Sequence, residues 1–367
     1  MIFLQHLFIL FAHSDDFVML GRDCQTEWDL LLEALKKNGY EIENRDGHKF
    51  VGVQVNQTSD GGYTMNQKEA IEKVLEEVHM MGAEEERMPY PSVQQQPESL
   101  SKQDNLQNVQ HCISPAEIKE CKDFPYRSCV GGLLYIMIHT GIQIMFILNV
   151  LSRYCNDPGP RHIFFMKHLL AYMKGIRFDE IIFPSHAGPY DIETMTALLQ
   201  VSFYVDSDLG GNKDSGRSQT CYIGFLADCM ICWCSTTQGS LSTATTESEI
   251  KAINHTLKAE TISNIGLLNA MGFLQKPVII YEDNMAAVFA ARQPNLTKGL
   301  RHLDLNEMFF KEKQAEEVIK VVKIATDKNH ADLGTKRLAW IIFAKFISML
   351  VSCKNKFFKV YAQKSDK

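Results

Sequence analysis

Val201-Ser-Phe-Tyr-Val-Asp206-Ser-Asp208 alternates apolar and polar side chains with period two, the pattern of a half-buried strand. Asp206 and Asp208, two residues apart, fall on the same face. Downstream, Gln219–Leu226 and Cys229–Ser235 read as two further strands joined across Ala227-Asp228. Thr246 to Leu268 has the spacing of a long helix, and Val278 to Glu282 is a short apolar strand followed by helical Asn284–Ala291. His302 to Glu317 reads as helix, Val318–Ile324 as a β-branched strand, and another helix begins near Ala331. The order βββαβααβα is a mixed α/β layer pattern. Element order alone does not single out one fold among α/β domains.

The carboxylates of this region fall at element ends. Asp206 is on the first strand, Glu249 near the start of the long helix, Asp283 at the end of the fourth strand and Asp332 at the opening of the final helix. Positions of that kind let side chains distant in sequence converge. Phosphodiester hydrolysis uses such a cluster, because hard oxygen ligands hold two Mg²⁺ ions. One ion activates water while the other stabilises the leaving oxygen. The plain alternative is a set of unrelated surface acids.

Upstream the chain is less uniform. Ile2–Phe11 and Phe17–Leu20 are apolar runs on either side of Ala-His-Ser-Asp-Asp, a β-hairpin with acids at its turn. Thr26 to Lys37 has helical spacing. Lys49–Val55 and Tyr63–Met65 flank Thr58-Ser-Asp-Gly-Gly62, a second hairpin signal, and Gln67 to His79 is helical again. Gln94 to Ser114 is polar and reads as a linker. Residues 116–177 are mostly helical in pattern, with a break at Asp157-Pro-Gly-Pro160.

The 367 residues, 45% of them apolar, suffice for two or three domains with real cores. A net charge of −6 runs against the basic balance usual in nucleic-acid enzymes, although the placement of charge matters more than its sum. Ten cysteines without a disulfide framework indicate a reduced, intracellular protein, cytoplasmic or nuclear. Cys229, Cys232 and Cys234 lack a second pair at zinc-site spacing and read as packed thiols. Leu133–Leu151 has the length of a membrane span, but His139, Thr140, Gln143 and Asn149 would lack partners in lipid, so it reads as a buried helix pair. No membrane association is expected.

Several motifs occur together in one order. They are Tyr204-Val-Asp-Ser-Asp-Leu-Gly-Gly211, Arg217-Ser-Gln-Thr220, Trp233-Cys-Ser235, Ala244-Thr-Thr-Glu-Ser-Glu249, Glu282-Asp-Asn284, Arg301-His-Leu-Asp304 and Ala331-Asp-Leu-Gly-Thr-Lys336. Upstream stand His13-Ser-Asp-Asp16, Lys49-Phe-Val-Gly52, Tyr126-Arg-Ser-Cys-Val-Gly-Gly-Leu-Leu-Tyr135, Leu151-Ser-Arg-Tyr154 and His168-Leu-Leu-Ala-Tyr-Met-Lys-Gly175. This series resembles the C-terminal part of the Pol polyprotein of copia-type LTR retrotransposons, from residue 1 to about residue 340.

The resemblance implies a reverse-transcriptase palm and thumb remnant over 1–92, a linker over 93–115 and a helical connection region over 116–198. An RNase H-like domain over 199–340 and a tail over 341–367 complete it. It implies that Asp206, Glu249, Asp283 and Asp332 are ligands of two Mg²⁺ ions, with Mn²⁺ as a substitute. It selects Glu249 over Glu247, which otherwise reads as a solvated acid favouring the helix dipole. For His302 the resemblance offers a part in product release or proton transfer, with a plain structural histidine as the alternative. Asp15 and Asp16 match the paired palm aspartates of reverse transcriptases. Their third partner lies upstream in that family, so polymerisation by this chain alone is not expected.

The implied partners are an RNA–DNA hybrid or other nucleic acid and the rest of a Pol polyprotein. There are departures. His13 replaces a Tyr, Leu209 replaces a Trp, Thr236 and Thr237 replace lysines, and Thr140-Gly-Ile-Gln-Ile144 lacks an Arg-Pro-Asp series. Loss of basic residues weakens phosphate contacts. The alternative expectation is therefore an inactive retroelement remnant acting at most as a binding module.

Overall fold

The computed structural model describes residues 8–13, 16–21, 25–41, 49–95, 115–185, 192–293 and 308–351. Strands β1 (Phe8–His13) and β2 (Asp16–Gly21) form an antiparallel hairpin whose last pair is His13 with Asp16. Helix α1 (Gln25–Lys37) follows. Next come β3 (Lys49–Phe50), β4 (Val53–Gln57), β5 (Tyr63–Asn66) and α2 (Lys68–Glu77).

The run expected as one strand over Lys49–Val55 is bent into β3 and β4. The turn has Val51 and Gly52 at φ 47° and 68°. The Tyr135 hydroxyl donates to the Val51 carbonyl there, and a Cβ at residue 52 would lie 2.1 Å from that hydroxyl oxygen. Only glycine accommodates both demands.

Helices α3 (Pro115–Asp123), α4 (Tyr126–His139), α5 (Met145–Ser152) and α6 (Pro160–Ile176) make up the helical region. The apolar run 133–151 is the helix pair α4–α5, linked by a short 3₁₀ turn. Its polar residues find partners inside the protein. Thr140 donates to Gln67 at 2.8 Å, Gln143 to Asp179 at 3.1 Å, and Asn149 to the Ser235 carbonyl at 2.9 Å. Among the described residues no helix is long and apolar enough to cross a membrane.

After α6, strand β6 (Ile181–Phe183) returns to pair antiparallel with β5, with Met65 opposite Ile181. No local pattern signals this pairing, because three residues are too few for a periodicity signal. The small sheet therefore has the order β3-β4-β5-β6.

Helix α7 (Ile192–Leu198) leads into the larger sheet. Its strands are β7 (Val201–Asp208), β8 (Gln219–Leu226), β9 (Cys229–Thr237), β10 (Val278–Glu282) and β11 (Ile319–Lys323), in the order β11-β10-β7-β8-β9. β7, β8 and β9 are antiparallel neighbours, whereas β7–β10 and β10–β11 are parallel, so the sheet is mixed.

The helix expected over 246–268 is interrupted. It comprises α8 (Thr245–Thr256), a π turn over Leu257–Thr261, and α9 (Ile262–Ala270). The Thr261 hydroxyl donates to the Thr256 carbonyl five residues back, filling the bond the wider turn leaves open. Helices α10 (Met285–Arg292), α11 (Phe309–Ala315), α12 (Asp332–Thr335) and α13 (Trp340–Leu350) complete the described chain.

The two faces of the large sheet bury different cores. Val201, Phe203 and Val205 of β7 pack with Ile250, Ile253 and Leu257 of α8 and its extension and with Phe310 of α11. On the other side, Cys221, Ile223 and Met230 join α2, α4, α5, α6 and α13 in a second core. Helix α13 opens the segment read as a tail. It buries Phe343, Ala344, Phe346, Ile347 and Leu350 in that second core. Cys229, Cys232 and Cys234 are half-buried in β9, and Cys232 and Cys234 flank the first core.

Candidate functional site

Parallel pairing places the first two acids side by side. β7 and β10 run in the same direction with Tyr204 opposite Tyr281, so continuing the register by two residues sets Asp283 beside Asp206. Both lie at the carboxyl ends of their strands, where open α/β sheets form their crevices. Glu249 arrives from the second turn of α8. One carboxylate oxygen each from Asp206, Glu249 and Asp283 lie within 4.8 Å of one another.

Asp332 is the first residue of α12, outside this trio but joined to it. Lys336, one helical turn further on, places its ammonium 2.7 Å from Asp332 Oδ1 and 3.6 Å from Asp206 Oδ2. The Thr335 hydroxyl donates to Asp206 Oδ2. Helix α12 is held against the sheet from several sides. The Asn329 amide donates to the Val205 carbonyl at 2.8 Å, and the Ser235 hydroxyl to the Gly334 carbonyl at 2.6 Å. A Cβ at Gly334 would lie 2.5 Å from Cys221 Sγ. Glycine there lets α12 approach β8 closely enough for Asp332 to reach the edge of the acidic trio.

The electrostatics are those of crowded, dry carboxylates. Burial and then the neighbouring Glu282 and Asp206 charges push Glu249 well above the usual carboxylate range. Burial also raises Asp206, opposed by Lys336 and the Thr335 hydroxyl. Asp332 is pushed up to about 7, first by burial and then by Asp206, with Lys336 acting in the opposite sense. Burial works against the charge of Lys336, yet Asp206 and Asp332 leave its net shift upward. Such a cluster favours positive charge, whether protons or cations. Glu249 Oε2 is buried without a hydrogen-bond partner, leaving an acceptor turned to no protein donor.

Glu247 is a helix-start acid of a different kind. It is buried rather than solvated, accepting from the Thr243 backbone and hydroxyl at 2.8 Å each and pairing with Lys251 at 2.7 Å. Its side chain is committed to the N-terminus of α8, and the acidic trio takes Glu249 instead. Asp208 is half-buried, and burial raises it. Asp16 begins β2 opposite His13, while Asp15 and His302 lie outside the described residues.

No protein-family model matches the chain. Over 337 residues it is 27% identical to the retrovirus-related Pol polyprotein from transposon TNT 1-94 of Nicotiana tabacum, which covers 89% of this chain and 23% of that protein. Over 342 residues it is 25% identical to the retrovirus-related Pol polyprotein from transposon RE1 of Arabidopsis thaliana, covering 93% of this chain and 21% of that one. The chain is a relative of the copia-type retrotransposon Pol polyproteins. It spans between about a fifth and a quarter of the length of those Pol polyproteins. Among solved structures it is similar to RNase H1 from the halophilic archaeon Halobacterium salinarum NRC-1, at 14% identity and a TM-score of 0.25 over 36% of this chain and 90% of that one.

Sequence reasoning missed three residues around the acidic cluster of this Pol relative. Lys336 and Thr335 stand in the Ala331–Lys336 motif, but Lys336 lies just past α12 with extended backbone, so helical spacing does not place its side chain over Asp332. Glu282 stands in the Glu282-Asp-Asn284 motif, without a role assigned to it. It follows the apolar residues of β10, is fully buried, and accepts from the Asn284 backbone at 2.8 Å while its Oε2 has no hydrogen-bond partner.

Proposed function

We propose that this chain carries a two-metal nuclease site of the RNase H type, which cuts the RNA strand of an RNA–DNA hybrid within a domain spanning about residues 199–340. The observation that carries this reading is the meeting of Asp206, Glu249 and Asp283 oxygens within 4.8 Å, with Asp332 tied to the same edge through Lys336. The β11-β10-β7-β8-β9 order and the family relationship support it.

The donor set suits a hard divalent cation, Mg²⁺ or Mn²⁺, since every candidate ligand is a carboxylate oxygen. Asp206, Glu249 and Asp283 would hold one ion, and Asp206 with Asp332 the other. When bound, the pair supplies a Lewis acid for the attacking water and for the leaving oxygen. The chain's own part is to hold the carboxylates in place before any substrate arrives. Asp206 is fixed by the central strand and by the Thr335 hydroxyl, and Glu249 by a buried position on α8. Their raised proton affinities mean that a cation and protons compete for the same oxygens, so binding strengthens as pH rises.

The substrate would be read by its A-form-like shape and 2′-hydroxyls rather than by sequence. In the same reading, residues 1–92 belong with a polymerase palm and thumb, and Asp15 and Asp16 are its paired aspartates. Incubating the purified chain with a labelled RNA–DNA hybrid tests the nuclease. Mg²⁺-dependent cleavage of the RNA strand, lost in Asp206→Asn and Asp283→Asn, is the expected result. An intact hybrid, or cleavage indifferent to both substitutions, would leave an inert remnant as the correct reading.

A further inference from the structure

Lys336 stands where a cation is wanted. Its ammonium lies 2.7 Å from Asp332 Oδ1 and 3.6 Å from Asp206 Oδ2, two acids that come from different elements and would otherwise repel each other. Asp206 is 2% exposed, so little water screens this edge. Lys336, the residue just past α12, returns its side chain to Asp332 at the start of that helix, and the Thr335 hydroxyl fixes the Asp206 oxygen it faces.

We propose that Lys336 is a resident counter-ion of the Asp206–Asp332 edge and that a divalent cation entering this edge must displace it, so that Lys336 sets the affinity of one of the two metal positions. The inference rests on the reading of these acids as metal ligands. The ammonium fills the place between the Asp332 and Asp206 oxygens that the divalent ion would take, so the two cannot occupy it at once. Lys336 is able to leave. Its side chain is 39% exposed, and the flexible four-carbon stem of lysine can swing the ammonium into water without disturbing α12. Without metal, the ammonium keeps Asp206 and Asp332 together. When metal enters, the released lysine becomes available to the phosphate backbone of a bound nucleic acid.

The role is one of positioning, and it separates from simple structural support by its effect on metal binding. Calorimetric titration of the full chain with Mn²⁺, without substrate, should show a tighter and a weaker site. Lys336→Met should tighten the weaker site by about tenfold or more while lowering the metal-free melting temperature. Lys336→Arg should stay within a few-fold of the parent. A folded Lys336→Met protein with unchanged Mn²⁺ affinities overturns the proposal.

A second measurement needs no variant. Acylation of Lys336 by an amine reagent, read by mass spectrometry, should rise as Mg²⁺ saturates the parent protein. Unchanged labelling at saturation also overturns the proposal. Absence of any Mn²⁺ or Mg²⁺ binding to the parent instead removes the metal-site reading on which it stands.

Discussion

Asn329 donates its side-chain amide to the Val205 carbonyl at 2.8 Å, tying the loop before α12 to the strand residue that precedes Asp206. Asn329 is fully buried, so the bond also satisfies a carbonyl that water cannot reach. Replacement by leucine removes that bond and loosens the anchor of the loop that leads into Asp332. Asn329→Leu should cost about 1–3 kcal/mol of stability, measurable as a lower urea midpoint. In the hybrid-cleavage assay it should lose more activity than its stability explains at temperatures where it is fully folded.

Glu282 is buried beside Asp206 and Asp283, and burial holds its carboxyl well above the usual range. An unfolded glutamate ionises near about 4.3. Between that value and the raised folded one, the folded chain holds a proton the unfolded chain has lost. This contribution to stability is therefore present at low pH and falls away as pH rises through the window. Glu282→Gln removes the titration. In metal-free buffer it should melt above the parent at pH 8 and level with it at pH 4. A variant no more stable than the parent at pH 8 would contradict the burial argument.

Gly334 brings α12 against Cys221, with no room for a Cβ 2.5 Å from the sulfur. Gly334→Ala should destabilise by about 1–3 kcal/mol through overpacking. Adding Cys221→Ala should recover part of that loss, because the contacting sulfur is removed. Additive effects in this double-mutant cycle would show that the two residues do not meet as described.

Phe346 of α13 is fully buried and stacks on the His330 ring at a centroid distance of 5.3 Å. Phe346→Ala should cost about 3–5 kcal/mol, seen by thermal or denaturant unfolding. A change under 1 kcal/mol would mean that α13 contributes little to the core.

The legibility of the chain followed the kind of signal each residue carried. Period-two and helical patterns exposed β7, β8, β9 and the helix pair α4–α5, because alternation records which face is buried. They did not expose β6, whose three residues gain stability only by pairing with β5 more than a hundred positions earlier. They also missed the turn at Val51-Gly52, whose left-handed backbone depends on the distant Tyr135 hydroxyl. The π turn at 257–261 hides within a helical pattern because it shifts the register by one residue only. The apolar run of α13 was visible, but its burial depends on the space left by helices α2, α4, α5 and α6.

By itself the sequence determined the chemical inventory: carboxylates at the ends of strands and helices, an apolar pattern for each main element, and motifs in the order of a known family. The family motifs singled out Glu249 over Glu247, but the physical reason these carboxylates meet lies in the tertiary structure. Glu247 and Glu249 stand two residues apart on one helix. One is drawn to Thr243 and Lys251, and the other reaches Asp206 and Asp283. That choice rests on the packing of α8 against β7, and local sequence carries no term for it. The same holds for Lys336. Its charge is written in the chain, but its place over Asp206 exists only because Gly334 lets α12 settle against the sheet.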